Sequence, residues 1–201
     1  MAFDRREAAS GRPAMARSAK LVVAGSFGVG KTTFVGAISE IQPLTTEASM
    51  TTASYGVDDA GPVRAKTSTT VALDFGRLSI DDSLVLYIFG TPGQDRFTFM
   101  WDDIVAGALL AVVLADTRRL ADSYLALDYF ETRGMPFIVA INEFEGARRH
   151  SITDIREALD LPEEIPLLTV DAREKESVKS VLTAGLEYLL ARVSTSVGAP
   201  R

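Results

Sequence analysis

The sequence predicts an α/β fold in which six strands form a mostly parallel sheet with helices on both faces. Three observations carry this expectation. Strand-like and helix-like segments alternate from residue 20 to residue 192, the order that lays crossover helices over a parallel sheet. Segments 109–115 and 137–141 are unbroken apolar runs, as expected of strands covered on both faces. A glycine-rich turn at 25–30 joins the first strand to the first helix.

Taken in order, residues 20–24 are a short apolar strand and 31–39 a helix. Residues 42–69 are rich in Thr, Ser, Ala and Gly and show no core periodicity, so they read as a long functional loop. Val71, Leu73 and Phe75 alternate with Ala72, Asp74 and Gly76 in a strand over 71–79, and Asp81-Asp82-Ser83 turns it back into a second strand over 84–89. The strand 109–115 leads to a helix over 123–133, stopped by Gly134 and Pro136. After the strand 137–141, Ser151-Ile152-Thr153-Asp154 resembles a capping box opening a helix that ends near Leu161-Pro162. A last strand spans 166–170, and Val178, Val181, Leu182, Leu186, Leu189 and Leu190 keep helical spacing to the end.

The organisation expected from this is a flexible leader (1–19), one α/β domain (20–192) and a flexible tail (193–201). Through Lys20 the chain carries a balance of +3, against −6 for the whole.

Composition removes several classes of function. The 201 residues are 47% hydrophobic and 24% charged, enough for a packed core and too balanced for a disordered chain. Without cysteine there is no thiolate metal site or cysteine nucleophile, and His150 alone cannot build a multi-histidine site. The net charge of −6 argues against non-specific nucleic-acid binding. The longest apolar run, 104–115, is too short to span a bilayer, which needs about 20 residues. The N-terminus lacks a secretory apolar block, and Ala2 breaks the myristoylation pattern. The expectation is a cytoplasmic protein that reaches a membrane only through a partner.

The sharpest motif is Gly25-Ser26-Phe27-Gly28-Val29-Gly30-Lys31-Thr32, a complete G-x-x-x-x-G-K-[ST] between a strand and a helix. Glycines let backbone N–H groups curl around phosphate oxygens, and the helix N-terminus adds partial positive charge. Lys31 supplies a point charge to the outer phosphates, the Thr32 hydroxyl is a ligand for Mg²⁺, and Thr33 continues the same binding turn.

With this loop in place the chain resembles the Ras-like small GTPases. Leu44-Thr45-Thr46-Glu47, the stretch Thr70-Val71-Ala72-Leu73-Asp74-Phe75-Gly76 and Gly90-Thr91-Pro92-Gly93-Gln94-Asp95-Arg96-Phe97 bring it nearest to the bacterial Mgl-type GTPases and the conservon-type nucleotide-binding proteins of actinobacteria. The resemblance covers about residues 20–192 and implies a Ras-like P-loop NTPase fold. It implies Mg²⁺-dependent GTP and GDP binding, with slow hydrolysis serving as a switch in bacterial signalling. It also implies a Roadblock/LC7-type regulator and a membrane sensor kinase complex as partners.

The resemblance assigns roles residue by residue. Thr70, just before the strand, takes the place of the threonine that ligates Mg²⁺ in the first switch, with Thr67, Ser68 and Thr69 as neighbours. Gly93 matches the γ-phosphate-sensing glycine, and Gln94 matches the residue that orients the attacking water. Gly90 stands where the family has an aspartate, so the outer-sphere carboxylate for Mg²⁺ is missing; Asp74, Asp95 and Asp116 are candidates to replace it. The following Arg96-Phe97-Thr98-Phe99-Met100-Trp101 reads either as core or as an exposed apolar surface by which a switch region recognises partners, with Trp101 the expected core member. Arg96 and Arg64 are candidates for a charge supplied in cis, since Phe27 in the loop obstructs an arginine inserted by a partner.

Asn142-Glu143-Phe144-Glu145 stands where the family has Asn-Lys-x-Asp. Asn142 matches; Glu145 is a longer carboxylate able to accept from guanine; Glu143 replaces a lysine. Asp171-Ala172-Arg173 resembles the last base loop, with the Ala172 N–H offered to the guanine oxygen. Two rival readings stay open: an ATP-binding P-loop protein, and a nucleotide-binding scaffold with negligible turnover.

Overall fold

The apolar runs place themselves in the middle of one sheet. In the computed structural model, which describes residues 17–42, 44–51 and 68–197, β1 (Arg17–Ala24), β5 (Leu110–Ala115) and β6 (Phe137–Asn142) lie side by side, and every residue of β5 and β6 is buried. β4 (Leu84–Gly90) flanks β1 on the other side, and β7 (Leu167–Val170) flanks β6. These five strands are parallel. β3 (Ser68–Asp81) runs antiparallel to β4, and β2 (Leu44–Thr51) runs antiparallel to β3 at the edge, giving the order β2-β3-β4-β1-β5-β6-β7.

Alternation along β1 divides the core. Leu21 and Val23 face α1 (Lys31–Ile38) and α5 (Lys175–Val197), packing with Phe34, Val35, Ile38, Val178, Val181 and Leu182. Val22 and Ala24 face the other layer, made of α2 (Trp101–Val105), α3 (Tyr124–Thr132) and α4 (Ile152–Ala158), where Trp101, Leu127, Phe130 and Ile155 are buried. Helices therefore cover both faces, as the sequence predicts. The Ser151 hydroxyl accepts from the Asp154 N–H at 3.0 Å, so the expected cap opens α4.

Three expectations change. The sheet has seven strands rather than six, because Leu44–Thr51, read as loop, pairs along β3. Arg17, Ser18 and Ala19, expected in the leader, pair with Leu84, Val85 and Leu86 and belong to β1. α5 continues to Val197, past the expected tail boundary at 193. Arg64 and Thr67, named above, lie outside the described residues. Among the described residues no helix is long and apolar enough to cross a membrane.

Candidate nucleotide-binding site

The C-terminal ends of β1 and β4 place two loops against each other. The first, 25–30, curls because of its glycines. Gly30 has φ 106°, and a Cβ there would stand 2.5 Å from Asn142 Nδ2; Gly25 has φ 137°, and its Cβ would stand 2.5 Å from the Leu114 carbonyl oxygen. Both backbone angle and space exclude a side chain. The first helical bond of α1 runs from the Phe34 N–H to the Gly30 carbonyl at 2.8 Å, so the N–H groups of Lys31, Thr32 and Thr33 have no acceptor inside the helix. That is the donor set of an anion site.

Lys31 folds back into this loop. Its ammonium donates to the Gly25 and Ser26 carbonyls, each at 2.8 Å, and the side chain is buried. Burial pushes its pKa down to about 8, and the Asp74 charge opposes that. Between pH 8 and about 10.5 the unfolded chain holds more of this proton than the folded one, so the Lys31 contribution to stability rises with pH over that window. Denaturant titrations of the nucleotide-free protein from pH 7.5 to 10 should show this rise, and Lys31→Met should lose it. An identical pH slope in the variant contradicts the buried-ammonium assignment.

A carboxylate of the neighbouring strand stands beside Gly90. Asp74 of β3 pairs with Gly90 of β4, and its Oδ2 accepts from the Thr32 hydroxyl at 2.8 Å. A Cβ on Gly90 would lie 3.0 Å from the Asp74 Cβ and Oδ2, so the glycine is what leaves room for the carboxylate. Of the three candidates, Asp74 alone meets the loop threonine. Asp116 instead caps the turn after β5 and holds Arg118 at 2.7 Å. Burial pushes the Asp116 carboxyl up, but hydrogen bonds from the Arg118 side chain and backbone outweigh this and leave it below the usual range. Asp95 is exposed in the turn at 95–100.

Gly93 rides on the phosphate loop. Its Cβ would collide with Lys31 Nζ and stand 2.8 Å from the Phe27 nitrogen. The Trp101 indole N–H donates to the Pro92 carbonyl at 3.1 Å and anchors this second loop to α2. Trp101 is the expected core member; Phe97 is buried as well, whereas Phe99 is exposed. A cleft of about 320 Å³ runs between the loops, lined by Phe27, Gly30, Lys31, Thr32, Asp74 and Thr91. Among the described residues, the Thr91 hydroxyl is a buried polar atom without a partner, in a residue that lines this cleft. Thr32, Asp74 and this orphan hydroxyl together suit a hydrated hard cation bridging phosphates. No group of three or more acidic or histidine side chains among the described residues could hold a metal by itself.

Gln94 lies just outside, in a second cleft of about 720 Å³ that it shares with Ser26, Phe27, Arg96, Arg119 and Leu125. Phe27 is 67% exposed at its rim, and Arg96 stands over the Phe97 ring at 4.8 Å. Thr70 pairs with Ser49 in the β2–β3 ribbon, four strand residues along β3 and so about 13 Å from Asp74.

The base end is partly assembled. Asn142 is buried; its Nδ2 donates to the Val29 carbonyl at 2.9 Å and its Oδ1 accepts from the Ala172 N–H at 3.1 Å. Asn142 thereby ties the phosphate loop to the last loop, and the Ala172 N–H expected for a guanine oxygen already has an acceptor. Asp171 and Arg173 close on each other at 2.7 Å; the Arg173 hydrogen bonds bring the Asp171 carboxyl down to about 2. Glu145 is exposed, and its charge acts on the Arg173 guanidinium, which Asp171 holds. Glu143 pairs with Arg149 at 3.7 Å.

Arg119 and Thr91 carry no role in the expectations drawn from the sequence. The pair Arg118-Arg119 after a buried strand was a visible signal without a recognised pattern. Thr91 belonged to a motif already quoted.

Comparison with known proteins agrees with this geometry. A family described as conserved hypothetical ATP binding protein matches residues 23–192. An uncharacterized protein of Methanocaldococcus jannaschii is 32% identical over 126 residues, 62% of this chain and 69% of the relative. Among solved structures, the G domain of the T. maritima FeoB iron transporter superposes with TM-score 0.59 at 16% identity, covering 86% of this chain and 99% of that one. The cytosolic domain of that transporter in its GMPPNP form gives TM-score 0.60 at 19% identity, over 85% of this chain and 64% of the other. The Methanococcus jannaschii FeoB G-domain gives 0.56 at 15%, over 86% and 98%. These likenesses show the P-loop GTPase fold. A complete phosphate loop in this fold, with the family match over most of its length, means that the chain belongs to the conserved hypothetical ATP-binding protein family of P-loop nucleotide-binding proteins.

Proposed function

We propose that this protein binds GTP with Mg²⁺ and hydrolyses it slowly as a molecular switch in bacterial signalling. The observation that carries the reading is the Thr32–Asp74 hydrogen bond at 2.8 Å opposite Gly90. It supplies, from a different strand, the carboxylate the GTPase motif lacks. The backbone donors of 28–33 and the Lys31 ammonium would bind the phosphates, and Thr32, with Asp74 through water, would hold the cation. Magnesium, when bound, neutralises charge between the outer phosphates. Gly93 senses the terminal phosphate, and Gln94 orients water. Thr70 joins the cation only if the β2–β3 ribbon folds inward on triphosphate binding, a switch of the order–rearrangement kind. Turnover without a partner is expected on the order of 10⁻⁴ to 10⁻³ s⁻¹.

Guanine is favoured by Glu145, a carboxylate suited to the N1–H and N2–H₂ donors that adenine lacks, and by the fold shared with a domain crystallised with GMPPNP. The second reading, ATP, is favoured by the family description and by Glu143 in place of lysine. Glu145→Ala separates them. Losing a charge-assisted bond costs about 1.5–3 kcal/mol, so the GTP/ATP affinity ratio should fall by roughly one to two decades. An unchanged ratio in competition titrations removes Glu145 from the base pocket. The scaffold reading predicts tight binding with no single-turnover phosphate release. A Roadblock/LC7-type regulator and a membrane sensor kinase complex are the partners the Mgl and conservon likeness proposes, placing the protein in the cytoplasm and at the membrane only through them.

A further inference from the structure

We propose that Arg119 is the arginine this enzyme supplies to its own reaction: a cis guanidinium, parked on the phosphate loop, that swings onto the terminal phosphate. This rests on the hydrolytic reading above.

The placement follows from a break in the chain. After β5, Asp116 accepts from the Arg118 N–H, and the Arg119 N–H donates to the Asp116 carbonyl. Arg119 then leaves helical geometry, at φ −147° and ψ 51°, in the middle of the turn over Thr117–Ser123. The break sends the two neighbouring arginines apart. Arg118 is spent on the buried Asp116 and on the Phe144 ring, 3.8 Å away. Arg119 reaches back to β1's loop, where its Nη2 donates to the Phe27 carbonyl at 2.9 Å.

That carbonyl lies where the two clefts meet. Phe27 and Gly93 line both the cleft holding Lys31, Thr32 and Asp74 and the cleft holding Gln94 and Arg119. A terminal phosphate bound by Lys31 under Gly93 would therefore be faced by Gln94 and Arg119 from the open side. Arg119's restraints are weak: a neutral carbonyl, and Asp122 at 3.4 Å with both side chains nearly half exposed. A phosphate oxygen offers a shorter, charge-assisted bond, so triphosphate out-competes the carbonyl. Arg96 lines the same cleft but rests on the Phe97 ring and makes no hydrogen bond to the phosphate loop among those of the described residues. The exposed Phe27 ring stands at the rim where a partner's arginine would enter, and an internal arginine removes the need for that entry.

In the step, the water oxygen bonds to the terminal phosphorus while the bond to the bridging oxygen breaks. The bonding pair leaves with the diphosphate, and the water proton ends on the released phosphate. Arg119 stays protonated throughout and donates to oxygens that gain charge, so its contribution falls on the transition state.

The test compares wild type, Arg119→Ala, Arg119→Lys and Arg96→Ala in three readouts with Mg²⁺: GDP affinity, capture of GDP with aluminium fluoride followed by a fluorescent GDP, and single-turnover phosphate release from GTP. Arg119→Ala should lose the aluminium fluoride complex and slow release by about 100-fold or more, with GDP affinity held within roughly twofold. Arg119→Lys should recover part of the rate, since it keeps the charge without the fork. Capture and release at wild-type levels in Arg119→Ala overturn the proposal. So does an equal fall in GDP affinity, which would make Arg119 a brace of the loop, and so does the same loss arising from Arg96→Ala alone. In each of those cases wild type still binds nucleotide and releases phosphate. Wild type that binds no nucleotide with Mg²⁺ overturns the hydrolytic reading and this proposal together.

Discussion

Lys31→Ala should abolish tight nucleotide binding and leave the fold standing. The ammonium sits among loop carbonyls rather than in the apolar core, donating to Gly25 and Ser26. Removing it leaves two carbonyls beside a cleft of about 320 Å³, which water can enter to solvate them. Its lowered pKa, about 8, says that the folded state gains nothing from the charge when no ligand is present. Bound phosphates reverse this. Truncating one partner of a desolvated, hydrogen-bonded charge pair costs about 2–5 kcal/mol, or roughly 1.5 to 3.5 decades of affinity. Thermal unfolding of the free variant should stay within a few degrees of wild type. Titration with a fluorescent nucleotide checks the binding; wild-type affinity in the variant would remove residues 25–32 from the phosphate site.

Asp74→Asn should make nucleotide binding indifferent to Mg²⁺. The amide keeps the size and can still accept from the Thr32 hydroxyl, so the 2.8 Å contact and the strand pairing survive. What goes is the negative charge that a hydrated cation needs. The affinity for triphosphate in Mg²⁺ should drop by about ten- to a hundredfold, the range for groups that tune a metal site, while the affinity in EDTA stays unchanged. A second variant makes the test sharper. The Cβ that Gly90 lacks would stand 3.0 Å from the Asp74 Cβ, so the two positions exchange side chains only if both change. Gly90→Asp combined with Asp74→Gly should recover Mg²⁺ dependence, whereas Gly90→Asp alone should destabilise the protein by crowding like charges in one site. No recovery in the double variant, with its fold intact, means that Asp74 acts as a structural hydrogen-bond acceptor only.

The phosphate loop was readable because its physics is local: three glycines, a lysine and a threonine at fixed spacing between a strand and a helix. The core strands were readable because burial on both faces leaves an unbroken apolar record, and every residue of β5 and β6 is buried. Asp74 could be named as a candidate but not chosen, for a reason of register. Counting outward from the pair Asp81–Leu84 without interruption sets Asp74 opposite Thr91; the irregularity between Ser79 and Asp81 shifts it opposite Gly90. A shift of one residue reverses the facing of every side chain, and nothing in the residues at the turn announces it. β2 was missed because Thr45, Thr46, Glu47, Ala48 and Ser49 bear no alternation; the strand is held at the sheet edge by backbone pairing with β3. Arg119 was missed because its contact spans 92 residues and depends on a break in helical geometry that the sequence does not mark.

The base end shows the opposite case, a motif readable in part with its roles redistributed. Asn142 occupies its expected place, yet it uses its amide to fasten Val29 to Ala172 rather than to leave the Ala172 N–H open. Glu145, proposed above to select the base, is exposed, and its charge acts on the Arg173 guanidinium.

The most direct test of the central claim is a titration of the gently purified, nucleotide-stripped protein with a fluorescent GTP analogue, in Mg²⁺ and again in EDTA, each with excess ATP or excess GTP as competitor. Tight binding is expected, weakening when Mg²⁺ is withdrawn and displaced by GTP but not by ATP. Binding indifferent to Mg²⁺, or displaced by ATP as readily as by GTP, would contradict the claim.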